Sequence, residues 1–265
     1  MINEAPNNYV LGAGKVYFNQ FKDEDPLKAM GLRYLGSTSE FNLTSETETL
    51  QHQNSEGGMR HVDMEVPLST TMTGSLTTDN ISAENMALYF SGDYSKELAT
   101  AATAITQTVK LRRGSAVLIG STAAKPQGEA AVTNVKVALT ATPATTLVAG
   151  KDYDLVGNMI VCDDGTNSTA LTATDVEYTI TYDRSASTRD VVVAKGNSIV
   201  GLLLFKADNG TGKNYDYLIP KCRLVANGDY AIKGGDDWQQ MSMSVSVMKD
   251  GNKPMMYING TPTVV

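Results

Sequence analysis

The chain has 265 residues, a formal net charge of −7 at pH 7, and only 5 Phe and 1 Trp, a length suited to one large or two modest domains. An acidic balance argues against tight, non-specific DNA binding, whose affinity comes from cations that neutralise phosphates, but not against DNA passing nearby. Abundant Thr, Ser, Ala, Gly and Val favour sheet over helix, and no apolar run approaches the roughly 20 residues needed to cross a bilayer.

Residues 1–10 read as a polar arm. With no basic start or apolar stretch there, no signal peptide is expected, and Cys162 and Cys222 are expected to be free thiols. Lys15–Phe18 reads as a first strand, and Asp23-Glu24-Asp25-Pro26 as an acidic turn. The segment from Gly31 to Gly36 leads into a long hairpin over residues 38–77. There Val62, Met64, Val66, Leu68, Thr70, Met72, Gly74 and Leu76 alternate with Asp63, Glu65, Pro67, Ser69, Thr71, Thr73, Ser75 and Thr77. A period of two predicts one apolar face and one wet face. Upstream, Phe41 and Leu43 alternate with Glu40, Asn42 and Thr44, before a polar run holding Glu46 and Glu48. Gln51 to His61 is polar with a Gly pair and reads as a loop. At about 3.3 Å per residue, the second strand spans roughly 50 Å, far beyond the usual five or six residues. So long a hairpin, polar on one face, predicts a sheet that continues into neighbouring subunits and lines a water-filled space.

Ser82 to Phe90 is the best helix. Ser82 is a capping residue, Glu84 suits the positive end of the dipole, and Gly92 offers a left-handed stop. Thr103–Leu111 and Ser115–Gly120 read as strands. Residues 126–190 change texture, with strands at Val132–Leu139, Asp152–Val156, Met159–Val161 and Val176–Tyr182. They read as an inserted β region within a core made of residues 1–125 and 191–265. Strands Ile199–Ala207 and Tyr215–Val225, then Met241, Met243, Val245 and Val247 against Ser242, Ser244 and Ser246, predict a meander with turns at Asn209-Gly210 and Asn227-Gly228. The fold class is mainly β, with one short helix and one insertion.

The only histidines, His52 and His61, lie in the hairpin tip at a spacing that matches no zinc motif. No Ser or Cys has a positioned base. Ala207–Asn214 lacks the first glycine and the final Ser/Thr of a phosphate loop, and a strand follows it. Asp152-Tyr153-Asp154 and Asp163-Asp164 carry oxygen ligands of the kind calcium prefers, but acidic turns of this kind are ordinary without metal. No enzyme activity, cofactor or metal is expected.

Gly14-Lys15-Val16-Tyr17-Phe18, Arg33-Tyr34-Leu35-Gly36 and Glu40-Phe41-Asn42-Leu43-Thr44 follow one another in order. The run Thr73 to Phe90 then leads from hairpin to helix, and Asn227-Gly228-Asp229-Tyr230 and Asp236-Asp237-Trp238 precede the last alternating strand. This order, over roughly residues 11–95 and 196–250, resembles the major tail tube proteins of long-tailed, non-contractile bacteriophages. The resemblance implies a β-sandwich or barrel and hexameric rings of the protein itself, stacked into a tube with other phage tail proteins. It also implies a place in the virion after synthesis in the bacterial cytoplasm, no membrane, and a lumen through which double-stranded DNA passes without specific binding. A releasing channel should repel phosphates, so Glu40, Glu46, Glu48, Asp63 and Glu65 are the expected lumen lining. The plainer account is charge that keeps the hairpin soluble or pairs with the next subunit. Gln51, His52, Asn54, Glu56, Met59, Arg60 and His61, with the N-terminal arm and the turn at 20–30, are the expected ring-to-ring contacts. The tube of a contractile tail or secretion apparatus shares this logic. A carbohydrate-binding module is an alternative of another class; it requires an exposed aromatic platform, for which the insertion offers Tyr153, Tyr178 and Tyr182.

Overall fold

The computed structural model describes residues 9–54, 58–234 and 236–260. The chain divides into two compact units, Met1–Tyr94 with Val192–Val265, and Ser95–Val191. The sequence boundary at 126 thus falls inside the second unit, which also takes in two strands read as part of the core. Those strands pair with segments the sequence assigned to the insertion.

Beginning in the first unit, the elements are β1 (Gly14–Gln20), two 3-10 turns (Lys22–Glu24 and Pro26–Lys28), β2 (Arg33–Tyr34), β3 (Thr38–Asn54), β4 (His61–Thr78) and α1 (Ala83–Tyr89). β5 (Gly92–Ala99) leads out to β6 (Ala102–Leu111), β7 (Ala116–Leu118), β8 (Val132–Leu139), β9 (Thr142–Thr146), β10 (Tyr153–Val156), β11 (Met159–Cys162) and β12 (Val176–Arg184). β13 (Ser187–Ala194) leads back to β14 (Ile199–Ala207), β15 (Tyr215–Ala226), β16 (Met241–Val247) and β17 (Tyr257–Gly260). The fold is mainly β, and the strand pairs of its three larger sheets are antiparallel among the described residues.

The first unit is built on an 8-stranded sheet, ordered β2-β1-β14-β15-β16-β4-β3 with β17 beside β15. Its alternating strands turn Val16, Phe18, Leu203, Ile219, Leu224, Met241, Met243 and Val245 into one core with Leu88 and Tyr89 of the helix. Ser82 caps that helix, accepting the Asn85 N–H at 3.2 Å. The left-handed residue at its end is Ser91 (φ 52) rather than Gly92. Gly92 serves close approach instead, because a Cβ there would lie 2.3 Å from the Val193 carbonyl oxygen. The meander β14-β15-β16 is present, but residues 227–240 make a long connection in place of a tight Asn-Gly turn.

The second unit has its own core, including Leu111, Ile119, Val137, Ile160 and Ile180, between sheets ordered β6-β12-β8-β9 and β10-β11-β7. Two features hold it. Asp183 accepts hydrogen bonds from the Ala104 N–H and from Asn134 Nδ2, each at 2.7 Å, where Ala104 and Asn134 both have φ 53. Its carboxylate therefore braces left-handed residues on both strands beside it, next to the register shifts near Asp183. An ionic chain is the second. Lys125 bridges Glu97 at 2.6 Å and Glu129 at 2.8 Å, while Arg184 reaches Glu129 at 2.9 Å and Arg189 reaches Glu97 at 2.6 Å.

Candidate functional site

The long hairpin is the part of the first unit that its core does not explain. β3 and β4 pair from Thr38↔Thr78 to Asn54↔His61, with irregularities at Thr38/Glu40, Glu48/Thr49 and His52/Gln53. β16 supports β4 only from Thr73 to Thr78. Among the described residues, no strand flanks the rest of β4 or the outer edge of β3. Burial falls away accordingly: Leu76 is 0% exposed, whereas Met64 is 63% and Leu50 61%.

Residues opposite one another in an antiparallel ladder share a face. One face carries Glu40, Glu46 and Glu48 beside Thr77, Thr71 and Ser69. The Ser69 hydroxyl donates to Glu48 at 3.2 Å. At the second irregularity Leu68 is the extra residue on β4, and such a bulge shifts the phase of the strand. Leu50 with Val66, and His52 with Met64, therefore continue the acidic face, while Glu65 with Gln51 takes the other. Asp63 is the extra residue at the third irregularity, 2.6 Å from His52 Nδ1.

The unbroken alternation read from Val62 to Thr77 thus does not make one apolar and one wet face. Of the expected lining, Glu40, Glu46 and Glu48 lie together, Asp63 is tied to that face through His52, and Glu65 lies on the opposite one. Met64, read as core filling, is exposed, unlike Met241 and Met243. The expected loop is also shorter than read: Gln51, His52 and Asn54 belong to β3 and His61 to β4. Met59 and Arg60 remain in the connection, both exposed. Glu56 and residues 1–8 of the arm lie outside the described residues.

In the turn at 20–30, Lys28 pairs with Asp23 at 2.9 Å and Leu27 is exposed. The sequence reading missed the exposed apolar side chains Leu50 and Val66, because alternation alone assigns such residues to a core. Tyr153, Tyr178 and Tyr182 are buried in the second unit, so they form no exposed aromatic platform.

The acidic turns satisfy themselves. The Asp163 carboxylate accepts N–H groups from Gly165, Asn167 and Ser168. Burial opposes its charge, but those hydrogen bonds outweigh it and hold the carboxyl below its ordinary value. Asp152 accepts from Ser168 Oγ and from the Val148 N–H. Among the described residues no group of three or more His, Cys, Asp or Glu could hold a metal ion, and no helix is long and apolar enough to cross a membrane. Cys162 and Cys222 are free and buried; burial pushes the Cys222 thiol up to about 12.

Fold and site together define a mainly β chain with a second unit carried between β5 and β13 and a long hairpin exposed on both faces. The chain belongs to a family described as protein of unknown function UCP028589, which matches residues 9–257. No curated protein matches it.

Proposed function

We propose that the protein is a structural subunit that assembles with copies of itself into rings stacked as the tail tube of a long-tailed bacteriophage, the conduit for double-stranded DNA. One observation carries this reading: strands of 17 and 18 residues pair into a hairpin whose outer part, among the described residues, has no strand on either edge and is exposed on both faces. An edge of that length is an aggregation hazard unless it is paired. Closing the sheet with neighbouring copies removes the edge, as in a barrel.

The two chemistries of one face then divide by height. Glu40, Glu46 and Glu48 with their neighbouring hydroxyls suit a lumen that repels phosphates. Leu50, Val66 and Met64, nearer the tip, suit contact with the adjoining ring. The six-fold ring and the other tail proteins as partners come from the family resemblance, and the subunit's role is non-catalytic.

Negative-stain electron microscopy of the purified protein, fresh and after incubation at high concentration, tests the reading. Hollow tubes with regular cross-striations are expected. Particles that stay single in the presence of the other tail proteins would remove it.

A further inference from the structure

The chain enters and leaves the second unit through the ribbon of β5 and β13. Apart from Gly92, no residue of either strand is buried, and neither buried core takes a residue from them. Leu98 of β5 is 79% exposed. Apolar burial therefore contributes little to holding the ribbon in place.

Polar contacts hold it instead. Arg189 of β13 pairs with Glu97 of β5 at 2.6 Å, and Lys125 reaches Glu97 at 2.6 Å. Arg189 Nη2 also donates to the Gly128 carbonyl at 3.0 Å. Lys125 and Gly128 belong to a loop of the second unit that is itself well fixed. Thr122 and Lys125 exchange backbone hydrogen bonds at 3.1 Å, and the Glu129 N–H donates to the Ile119 carbonyl at 2.8 Å. Gly128 (φ 67) lies where a Cβ would come within 2.4 Å of that same carbonyl oxygen. Glu129, 6% exposed, grips Lys125 with one carboxylate oxygen and Arg184 with the other. Lys125 thus stands between a buried carboxylate of the loop and a carboxylate of the ribbon.

The ribbon's side of this arrangement is the weaker one. The Glu97 and Arg189 side chains are each 25% exposed, so water and ions reach them, and ion pairs in such places are modest and screened by salt. Ser187, two residues before Arg189, lies on the same face of β13. Its hydroxyl is buried with no hydrogen-bond partner among the described residues, a cost carried only while the ribbon is covered.

We infer that the ribbon is a hinge closed by an ionic latch: Glu97 and Arg189 let go of Lys125 and Gly128 together, and the ribbon parts from the second unit while that unit's core stays folded. The latch contacts favour the closed position and the unpaired Ser187 hydroxyl opposes it, so the two positions differ by a small balance that ionic strength moves. The hinge stands independently of the tube reading.

Ser187→Cys in the full chain tests this, because it places a thiol where closure covers it. Labelling by iodoacetamide is followed by mass spectrometry, each thiol's rate being divided by its rate in the unfolded chain. Cys162, in the core of the second unit, and Cys222, in that of the first, report unfolding of their units in the same sample. The introduced thiol is expected to label faster than Cys162, and faster again as salt rises, with both native thiols unmoved. Adding Glu97→Gln, which leaves Lys125 with Glu129, is expected to raise the introduced thiol's rate roughly fivefold and to leave that of Cys162 unchanged. An introduced thiol that labels only as fast as Cys162 would show that the ribbon opens with the whole unit, and would overturn the hinge. Labelling at the unfolded rate from the outset, or a rate that neither salt nor Glu97→Gln changes, would overturn the latch.

Discussion

Asn85 is the residue on which the helix and the hairpin's root depend. Fully buried, it donates through Nδ2 to the carbonyls of Leu35 at 2.7 Å and Asn80 at 2.9 Å, and accepts from Arg33 at 2.8 Å. Asn85→Ala removes all three bonds, leaving the Leu35 carbonyl with Asn80 Nδ2, the Asn80 carbonyl with the Ser82 N–H, and the half-buried Arg33 guanidinium without this acceptor; losing hydrogen bonds at a buried site is destabilising. The substitution is expected to cost about 2 kcal/mol, read as a lower midpoint in urea with an unchanged slope. In the second unit, hydrogen bonds from Lys125 and Arg189 hold the Glu97 carboxyl at about 2, against an ordinary 4.5. A depressed folded value means that its contribution is complete above pH 4.5 and lost as pH falls towards 2. Asp183 and Glu129 are also held low, so the second unit should weaken in acid in the same direction. For Glu129, burial opposes the charge and hydrogen bonds from Lys125 and Arg184 outweigh it. Glu97→Gln is expected to flatten the fall of the melting temperature across that window; an unchanged slope would show that the ion pairs do not hold this unit.

At the scale of elements, the sequence was most informative where one rule acted alone. β8 and β14 have the borders that their apolar patterns predict, and Ser82 caps the helix as its chemistry suggests. β5, β9 and β13 were not predicted, because their exposed residues leave no alternation to read. The hairpin was legible as a long strand pair, yet its faces were not. An extra residue on one strand is visible only against its partner, and nothing in the run around Leu68 announces it. Expecting a buried apolar face there followed from the assumption that alternation implies a core within the same chain. Deleting Leu68 would remove that bulge while keeping every pair around it. The first unit is expected to keep its thermal stability, since this stretch touches no core residue. Assembly is expected to fail in sedimentation, because a bulge sets the bend and twist that aim the tip.

The whole molecule invites separate tests of its two units. The chain leaves the first along β5 and returns along β13, and these strands form a two-stranded sheet. Joining Lys96 to Asp190 through an Asn-Gly turn is therefore expected to leave a first unit that unfolds cooperatively in urea, with its core intact. Charge offers the other experiment at this scale. Glu46→Lys with Glu48→Lys is expected to leave tubes unchanged by electron microscopy. The same variant should make them retain double-stranded DNA at low salt and release it as salt rises, the mark of cations on phosphates. Retention that does not depend on salt would show that this face does not line the path.

The three irregularities in the hairpin also bear on how it folds without error. Runs such as Thr47-Glu48-Thr49 and Ser69-Thr70-Thr71 repeat similar side chains at short intervals, so a perfectly regular ladder slipped by two residues would look nearly as good as the right one. Each bulge is a notch that fits at only one setting. A slipped pairing would have to rebuild all three notches among side chains unsuited to them. The bulges are thus proofreading marks, giving a low-complexity pair of strands one register in which to close.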